Sequence, residues 1–318
     1  MSLLRPLLAA LLVLAALLAA GVAAAAAPRV LFIGNSFTFA AGTALRFWRA
    51  GTVTDLNGEG TGGVPALFKS FVQQAGLDHE VYLETRGGSG LDWHLQHRLA
   101  LIDSRPWDRV VMHGYSTLDA ADPGNPALLV RSVRPLAEAL RRRNADVTIY
   151  LMATWSRADQ NYPAGTPWHG KPIAAMADDV RAGYDRAAAG VPGIAGVIPV
   201  GQAWNRAIAA GVADGNPYDG IGAGLLDLWG WDHYHASLHG HYLQALVIFG
   251  MLTGRDPRTL GEAECSAFEL GLSPGQARAL QQVAFDELAQ ARVVTAMPQP
   301  PAGAAEPQRC ALLQPAGR

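Results

Sequence analysis

Short apolar runs alternate along the chain with longer segments that have the spacing of amphipathic helices. The runs are predicted to be buried strands, because they are rich in branched and aromatic side chains and most are followed closely by Gly. The five predicted strands are residues 29–33, 80–85, 109–113, 147–153 and 196–200. Strands that alternate with helices form βαβ units, in which helices cover both faces of a parallel sheet. The sequence therefore predicts a three-layer α/β/α sandwich with a five-stranded parallel sheet, in a flavodoxin-like arrangement.

The segments between and after these strands are predicted to be helices within a single domain. They are residues 64–75, 91–103, 126–143, 172–189, 202–210, 237–253 and 274–294. Because neither a repeat nor a linker divides the chain, we expect one α/β domain over residues 28–296, followed by a Pro- and Ala-rich tail over 297–318. Ligands of open α/β sheets bind beyond the carboxyl ends of the strands. The loops that begin at Gly34, Gly87 and Gly114, and the loop before Ser237, should therefore meet at one edge.

The first 27 residues have the pattern of a secretory signal peptide. Arg5 precedes an apolar stretch over residues 6–20, and the small-residue run 23–27 precedes Pro28. We expect cleavage near Pro28 and a mature protein that is periplasmic or secreted, a retained membrane anchor being the alternative. Later segments are not apolar enough to span a bilayer.

Charge and cysteine content restrict the classes of partner. The formal net charge is -2 and 16% of the residues are charged, so the basic face that nucleic-acid binding usually needs is not expected. The chain has two cysteines, Cys265 and Cys310, without the spacing of a metal site. A disulfide between them and two free thiols are both consistent with the sequence of an exported protein.

Two short motifs carry chemistry. Gly34-Asn35-Ser36 follows the first predicted strand directly, where a Ser hydroxyl is well placed to act as a nucleophile. Such a hydroxyl needs a base within hydrogen-bond reach, and the base needs a third group that orients it. Asp232 and His235 lie three residues apart just before a predicted helix, so Asp232 can hold one ring nitrogen of His235 and leave the other for Ser36.

Together the two motifs resemble those of the SGNH, or GDSL-type, hydrolases, over residues 29–254. That family opens with Gly-Asp-Ser or Gly-Asn-Ser after its first strand and closes with Asp-x-x-His. The Gly-x-Ser-x-Gly elbow of other α/β-hydrolases is absent around Ser36. The resemblance implies an SGNH-hydrolase-like fold and a serine esterase that needs no cofactor, with Ser36, Asp232 and His235 as its catalytic triad.

The resemblance also implies an oxyanion hole built from three loops. The backbone N–H groups of Ser36 and of Gly88, with Gly90 as the second choice, would hold the oxyanion. The family's third block usually supplies an Asn side chain, but this chain has Ser116 at that step. A hydroxyl can donate one hydrogen bond, so we assign the third donor to Ser116. His113 remains the alternative.

Other interpretations of the same region stay open. Four histidines crowd the last motif and could bind a metal in a metal-dependent hydrolase: His233, His235, His239 and His241. A non-catalytic carbohydrate-binding protein could keep the same fold, and an acyltransferase could use the same triad. Trp168, Trp229 and Trp231 could stack on a sugar ring or simply pack within loops. We expect a small-molecule or polysaccharide ester as substrate, with acetyl or another short acyl group.

Overall fold

The computed structural model describes residues 26–294. Both the predicted signal sequence before Ala26 and the predicted tail at 297–318 lie outside the described residues. Within this range the chain forms one sheet covered by helices on both faces, which confirms the predicted fold class.

The sheet has six strands instead of the five predicted. They are β1 (Arg29–Gly34), β2 (Thr54–Asp55), β3 (Glu80–Thr85), β4 (Arg109–Met112), β5 (Thr148–Ala153) and β6 (Ile194–Pro199). All neighbours pair in parallel, in the order β2-β3-β1-β4-β5-β6. The additional strand, β2, is a two-residue edge strand that pairs with β3. It is too short and too polar to form an apolar run that the sequence could reveal.

Ten α-helices are found in the described range. They are α1 (Gly63–Gln74), α2 (Leu91–His97), α3 (Leu99–Ile102), α4 (Ala127–Arg143), α5 (Ala158–Asn161), α6 (Ala174–Ala189), α7 (Val200–Ala209), α8 (Leu238–Thr253), α9 (Cys265–Glu269) and α10 (Pro274–Gln290). The predicted helix over 91–103 is divided into α2 and α3, because Arg98 leaves the helical conformation with φ -128° and ψ 5°.

Alternating side chains of each strand form two separate cores. On β1, Val30 and Phe32 face one core, and Leu31 and Ile33 face the other. The first core packs against α1, α7, α8 and α10, whereas the second packs against α2, α4 and α6. The sheet is therefore buried on both faces, which explains the continuous apolar runs of its long strands.

The strand order creates a switch point between β1 and β4. The chain runs from β1 outward to β3 and then returns to the other side of β1 to form β4, β5 and β6. In open α/β sheets the crevice at such a point, beyond the carboxyl ends of the strands, binds ligands. The loops after β1, β3 and β4 all lie at this edge.

No helix between residues 26 and 294 is long and apolar enough to cross a membrane. Cys265 is buried, and no described cysteine is free. Cys310 lies outside the described residues.

Candidate active site

The turn after β1 brings Ser36 to the switch point. A Cβ at Gly34 would lie 2.3 Å from His113 Nε2 and 2.4 Å from Thr38 Oγ1, so only glycine fits where the strand passes these side chains. Ser36 itself is 7% exposed. The turn therefore holds the hydroxyl at the edge of the sheet in a confined position.

Asn35 fastens this turn to the two neighbouring loops. Its Nδ2 donates to the carbonyl oxygens of Ser89 and Gly114, at 3.0 Å each, and its Oδ1 accepts from the Phe37 N–H at 3.1 Å. The loops after β1, β3 and β4 are thus connected through one buried amide. An Asn at this position has the donors and the acceptor that the three contacts need.

A tight loop before α8 brings Asp232 and His235 together. The Gly230 N–H donates to the His235 carbonyl at 2.7 Å, and Asp232 Oδ1 accepts from the backbone N–H groups of Tyr234 at 3.1 Å and His235 at 2.9 Å. Asp232 Oδ2 lies 2.6 Å from His235 Nδ1. The two side chains that the Asp-x-x-His spacing predicts to meet are therefore in hydrogen-bond contact.

Hydrogen bonding fixes the charge of Asp232 and the tautomer of His235. Burial raises the pKa of the Asp232 carboxyl, but hydrogen bonds from the His235 ring and from the N–H groups of His235 and Tyr234 outweigh burial and lower it overall. The ionised carboxylate only accepts, so His235 Nδ1 carries the proton in this contact. In the neutral ring, His235 Nε2 is then an acceptor with a free lone pair.

A stack of aromatic rings sets the distance between the Ser36 turn and the Asp232–His235 loop. Phe37 stacks on Trp155 with ring centroids 4.1 Å apart, and its other neighbours include the rings of Tyr234 at 5.4 Å and His235 at 5.6 Å. Trp155 Nε1 also donates to the Tyr234 carbonyl at 3.2 Å. Phe37 follows Ser36 directly, so this packing brings the hydroxyl and the imidazole to the same edge.

No hydrogen bond joins His235 to Ser36 in this structure. His235 Nε2 is buried and has no hydrogen-bond partner among the described residues, Ser36 included. Hydrogen bonds between nucleophile and base are often long before substrate binds and shorten in the reactive complex. An unpartnered, buried acceptor beside a serine turn is chemically suited to take a proton from that serine.

Backbone N–H groups without acceptors border the same turn. Neither the Ser36 N–H nor the Gly88 N–H donates to any acceptor in the part of the chain that the structure describes. Gly88 has φ +68°, a left-handed conformation that favours glycine. The next residue, Ser89, accepts a hydrogen bond from Asn35 in the Ser36 turn. Two free donors therefore lie on adjoining loops, as an oxyanion hole requires.

The side chains of Ser116 and His113 differ in what they contact. His113 Nε2 lies 2.7 Å from Thr38 Oγ1, and His113 Nδ1 lies 3.2 Å from the Gly114 carbonyl. Burial lowers the pKa of His113 to about 4, so the ring is neutral and both nitrogens have partners within the protein. The Ser116 hydroxyl has a single partner, Arg157 Nη1 at 3.3 Å. Of the two alternatives, Ser116 has the donor that is still free.

Three buried side chains form a hydrogen-bonded chain that holds the loop at residues 87–90. The role of this chain is not evident from the motifs. Glu84 and His94 are fully buried and hydrogen-bonded to each other, and His94 Nε2 lies 3.1 Å from Ser89 Oγ. Ser89 Oγ also donates to the Arg86 carbonyl at 2.8 Å. The one signal in the sequence is a charged residue, Glu84, inside a buried strand.

The three tryptophans near the site do not share one environment. Trp168 and Trp229 are 2% and 1% exposed and belong to the cores, whereas Trp231 is 84% exposed. Trp231 precedes Asp232 in the chain, so its ring is on the surface beside the Asp232–His235 pair. Of these three, Trp231 is the one that can offer a face to a ligand.

The four clustered histidines have separate surroundings. His241 is fully buried with Nδ1 3.0 Å from Gln244 Oε1, and burial lowers its pKa to about 4. Burial also lowers the pKa of His239, which lies beside Gln276 and Asp227. Between residues 26 and 294 no group of three or more His, Cys, Asp or Glu side chains is arranged to hold a metal ion.

Solved structures with the same fold are known, but sequence relatives were not found. A DUF4886 family protein from Bacteroides uniformis has a TM-score of 0.54 and 18% identity over 85% of this chain and 97% of that chain. A protein from Parabacteroides merdae described as a GDSL-like lipase has a TM-score of 0.48 and 18% identity, over 71% and 95%. For the acetylxylan esterase Axe2 from Geobacillus stearothermophilus the TM-score is 0.46 and the identity 17%, over 70% and 92%. No protein-family model and no curated protein matches the chain.

These comparisons concern the fold. The first, together with the strand order, confirms the predicted α/β architecture, and GDSL-type esterases are among the structural neighbours. At such low identity the likeness says nothing about which substrate this chain uses.

Proposed function

We propose that this chain is an exported serine esterase that hydrolyses an acyl ester with a Ser36–His235–Asp232 triad. The observation that carries the proposal is the Asp232–His235 pair, whose free Nε2 is buried at the same sheet edge as the Ser36 turn. Nucleophilic acyl transfer needs an oriented base beside the serine. The switch point of an open α/β sheet is where ligands bind. Export is proposed from the charge, apolar run and small-residue pattern of residues 1–27.

The reaction proceeds in two acyl-transfer steps. Ser36 Oγ attacks the ester carbonyl while His235 Nε2 takes its proton, and His235 then returns that proton to the leaving alcohol. Water attacks the acyl-enzyme with His235 again as base, releasing the acid and restoring Ser36. Asp232 keeps Nδ1 protonated and stabilises the imidazolium that forms in each step.

Three donors stabilise the negative charge that develops on the carbonyl oxygen. They are the Ser36 N–H, the Gly88 N–H and the Ser116 hydroxyl, each free of another acceptor among the described residues. Loss of one such donor commonly costs on the order of 3 kcal/mol of transition-state stabilisation. No cofactor takes part in these steps.

The substrate we propose is a short acyl group, such as acetyl, on a carbohydrate or another polar alcohol. Ser36 is only 7% exposed, and a small acyl group such as acetyl needs the least space beside a buried hydroxyl. Trp231, 84% exposed beside the triad loop, offers an aromatic face on which a sugar ring can stack. Trp231 thus supports the proposed polar alcohol, and the low exposure of Ser36 supports the proposed short acyl group.

A panel of esters tests the proposal. Wild type, Ser36→Ala and the control Ser266→Ala would be assayed on acetyl, butyryl and octanoyl esters of p-nitrophenol and on acetylated xylooligosaccharides. Ser266 is another buried serine, hydrogen-bonded to Ser70 between α9 and α1. We expect hydrolysis of short esters by wild type and Ser266→Ala only. Equal activity of Ser36→Ala, or no hydrolysis of any ester by wild type, would reject the proposal.

A further inference from the structure

Arg157 reaches the candidate oxyanion hole from the loop after β5. Its side chain is 14% exposed, and Nη1 donates to Ser116 Oγ at 3.3 Å. The sequence gives no sign of this contact, because the two residues are 41 positions apart. Arg157 therefore contacts the one proposed donor that departs from the family pattern.

Three further contacts hold the guanidinium in place. Nε and Nη2 donate to the two carboxylate oxygens of Asp159 at 2.9 and 2.5 Å, and the group lies 3.6 Å from the centroid of the Tyr234 ring. Such a bidentate pair gives geometric specificity, and the cation is attracted to the ring face. The Asp159 N–H in turn donates to the His233 carbonyl at 3.2 Å. Nη1 is consequently fixed relative to both Ser116 and the triad loop.

The donor and acceptor roles follow from the chemistry of the two groups. A guanidinium has no acceptor, so Ser116 Oγ must be the acceptor in this hydrogen bond. A serine hydroxyl has one proton, and the Ser116 proton has no acceptor among residues 26–294. A hydroxyl whose oxygen accepts from a cation is also polarised and becomes a stronger donor. Because Arg157 occupies only a lone pair of the Ser116 oxygen, the hydroxyl proton stays free to be donated.

We propose that Arg157 is a positioning residue for the oxyanion hole, orienting and polarising the Ser116 hydroxyl so that it serves in place of the family's Asn. The inference rests on the proposed esterase function. The fixed guanidinium holds the short Ser116 side chain in one rotamer. Its positive charge also strengthens the hydrogen bond from the Ser116 hydroxyl to the oxyanion. The effect belongs to the transition state, because the negative charge develops only there.

Arg258 provides a matched control, since a purely structural role for Arg157 would give similar results at both positions. Arg258 also pairs with an acid two residues away, with Nη2 2.7 Å from Asp256 Oδ2, and lies 3.3 Å from the Phe285 ring centroid. It belongs to the 3-10 helix Pro257–Leu260, not to a loop of the candidate site. Arg157→Met and Arg258→Met therefore remove comparable ion-pair and cation–π contacts.

The experiment measures kcat, KM and thermal unfolding for Arg157→Met, Arg157→Lys, Arg258→Met, Ser116→Ala and the double variant Arg157→Met/Ser116→Ala, on the best ester of the panel. We expect kcat to fall about tenfold in Arg157→Met with little change in KM, less in Arg157→Lys, and hardly at all in Arg258→Met. The double variant should be no slower than Ser116→Ala, because the two residues act through one hydrogen bond.

Different failures have different meanings. If Ser36→Ala is as active as wild type, the esterase proposal itself fails. If activity depends on Ser36 but Arg157→Met keeps the kcat of Arg258→Met, or the Arg157→Met and Ser116→Ala losses multiply, this inference alone is overturned. Should Arg157→Met not fold, Arg157→Lys and Arg157→Lys/Ser116→Ala decide. A kcat loss in Arg157→Lys that disappears in the Ser116→Ala background supports the inference. An unchanged kcat in Arg157→Lys, or a loss that multiplies with that of Ser116→Ala, overturns it.

Discussion

At the scale of single residues, the most specific proposal is that the Ser116 hydroxyl is the third donor to the oxyanion. It accepts from Arg157 and keeps its own proton free, whereas both ring nitrogens of His113 are engaged with Thr38 and Gly114. We expect Ser116→Ala to lower kcat roughly tenfold or more with little change in KM, because its bond matters mainly in the transition state.

Steady-state kinetics with a neighbouring control checks this prediction. Thr117→Val removes the next hydroxyl along the chain, which donates to the Asp119 carbonyl, and should leave kcat near that of wild type. His113→Ala should mainly reduce stability, because the ring is buried and hydrogen-bonded. An unchanged kcat in Ser116→Ala would move the third-donor role to His113 or leave the oxyanion to backbone N–H groups.

The contacts of single residues differ in how far the sequence predicts them. The contact between Asp232 and His235 is local, since a three-residue spacing and one turn bring the side chains together, so it can be anticipated from the motif. The contact between Arg157 and Ser116 joins loops after two different strands, and its formation depends on the tertiary packing. The roles of all these residues in catalysis remain predictions.

At the scale of elements, the end of β1 determines the shape of the turn that contains Ser36. A Cβ at Gly34 would meet His113 Nε2 at 2.3 Å and Thr38 Oγ1 at 2.4 Å, both within the packed edge of the sheet. We expect Gly34→Ala to lower the melting temperature by several degrees and to reduce kcat at least tenfold, because either the turn or His113 must move.

Gly51→Ala is the matched control for that change. A Cβ at Gly51 would meet nothing within 4 Å, and its φ is not in the left-handed region, so this variant should resemble wild type in thermal unfolding and in kinetics. If Gly34→Ala also resembled wild type in melting temperature and in kcat, the close packing between β1 and His113 would not determine the shape of the Ser36 turn.

The elements themselves show where sequence patterns stop being informative. The five long strands follow from apolar runs, because a parallel sheet covered on both faces needs apolar side chains in both directions. The edge strand β2 depends on its pairing with β3, through partners such as Thr54 with Tyr82, and cannot be recognised from two residues. The break between α2 and α3 places Arg98 Nε 3.7 Å from the buried carboxylate of Glu84, a tertiary contact that helical periodicity does not reveal.

At the scale of the whole molecule, three buried histidines link folding to pH. The pKa values of His79, His113 and His241 are lowered to about 4, in each case chiefly by burial. In the unfolded chain a histidine has a pKa of about 6.5. Between these values the unfolded state binds protons that the folded state does not, so stability is fully present above about pH 6.5 and is lost as the pH falls toward 4.

Thermal unfolding between pH 7.5 and pH 4.5 tests this linkage. We expect the melting temperature to fall over this range, and to fall less steeply in His79→Gln, where the new side chain can still accept from Arg109 Nη1 as His79 Nε2 does at 2.9 Å. Equal slopes for wild type and His79→Gln would show that His79 does not contribute, and a melting temperature that rises on acidification would contradict the linkage for all three.

The central claim is that Ser36, His235 and Asp232 act as one catalytic unit at the switch point of the sheet. The most direct measurement compares kcat/KM for wild type, Ser36→Ala, His235→Ala and the double variant on one hydrolysed ester. Members of a triad are strongly non-additive, so we predict that each single variant loses nearly as much activity as the double variant. Single losses that multiply in the double variant, or a single variant that retains wild-type activity, would contradict the account.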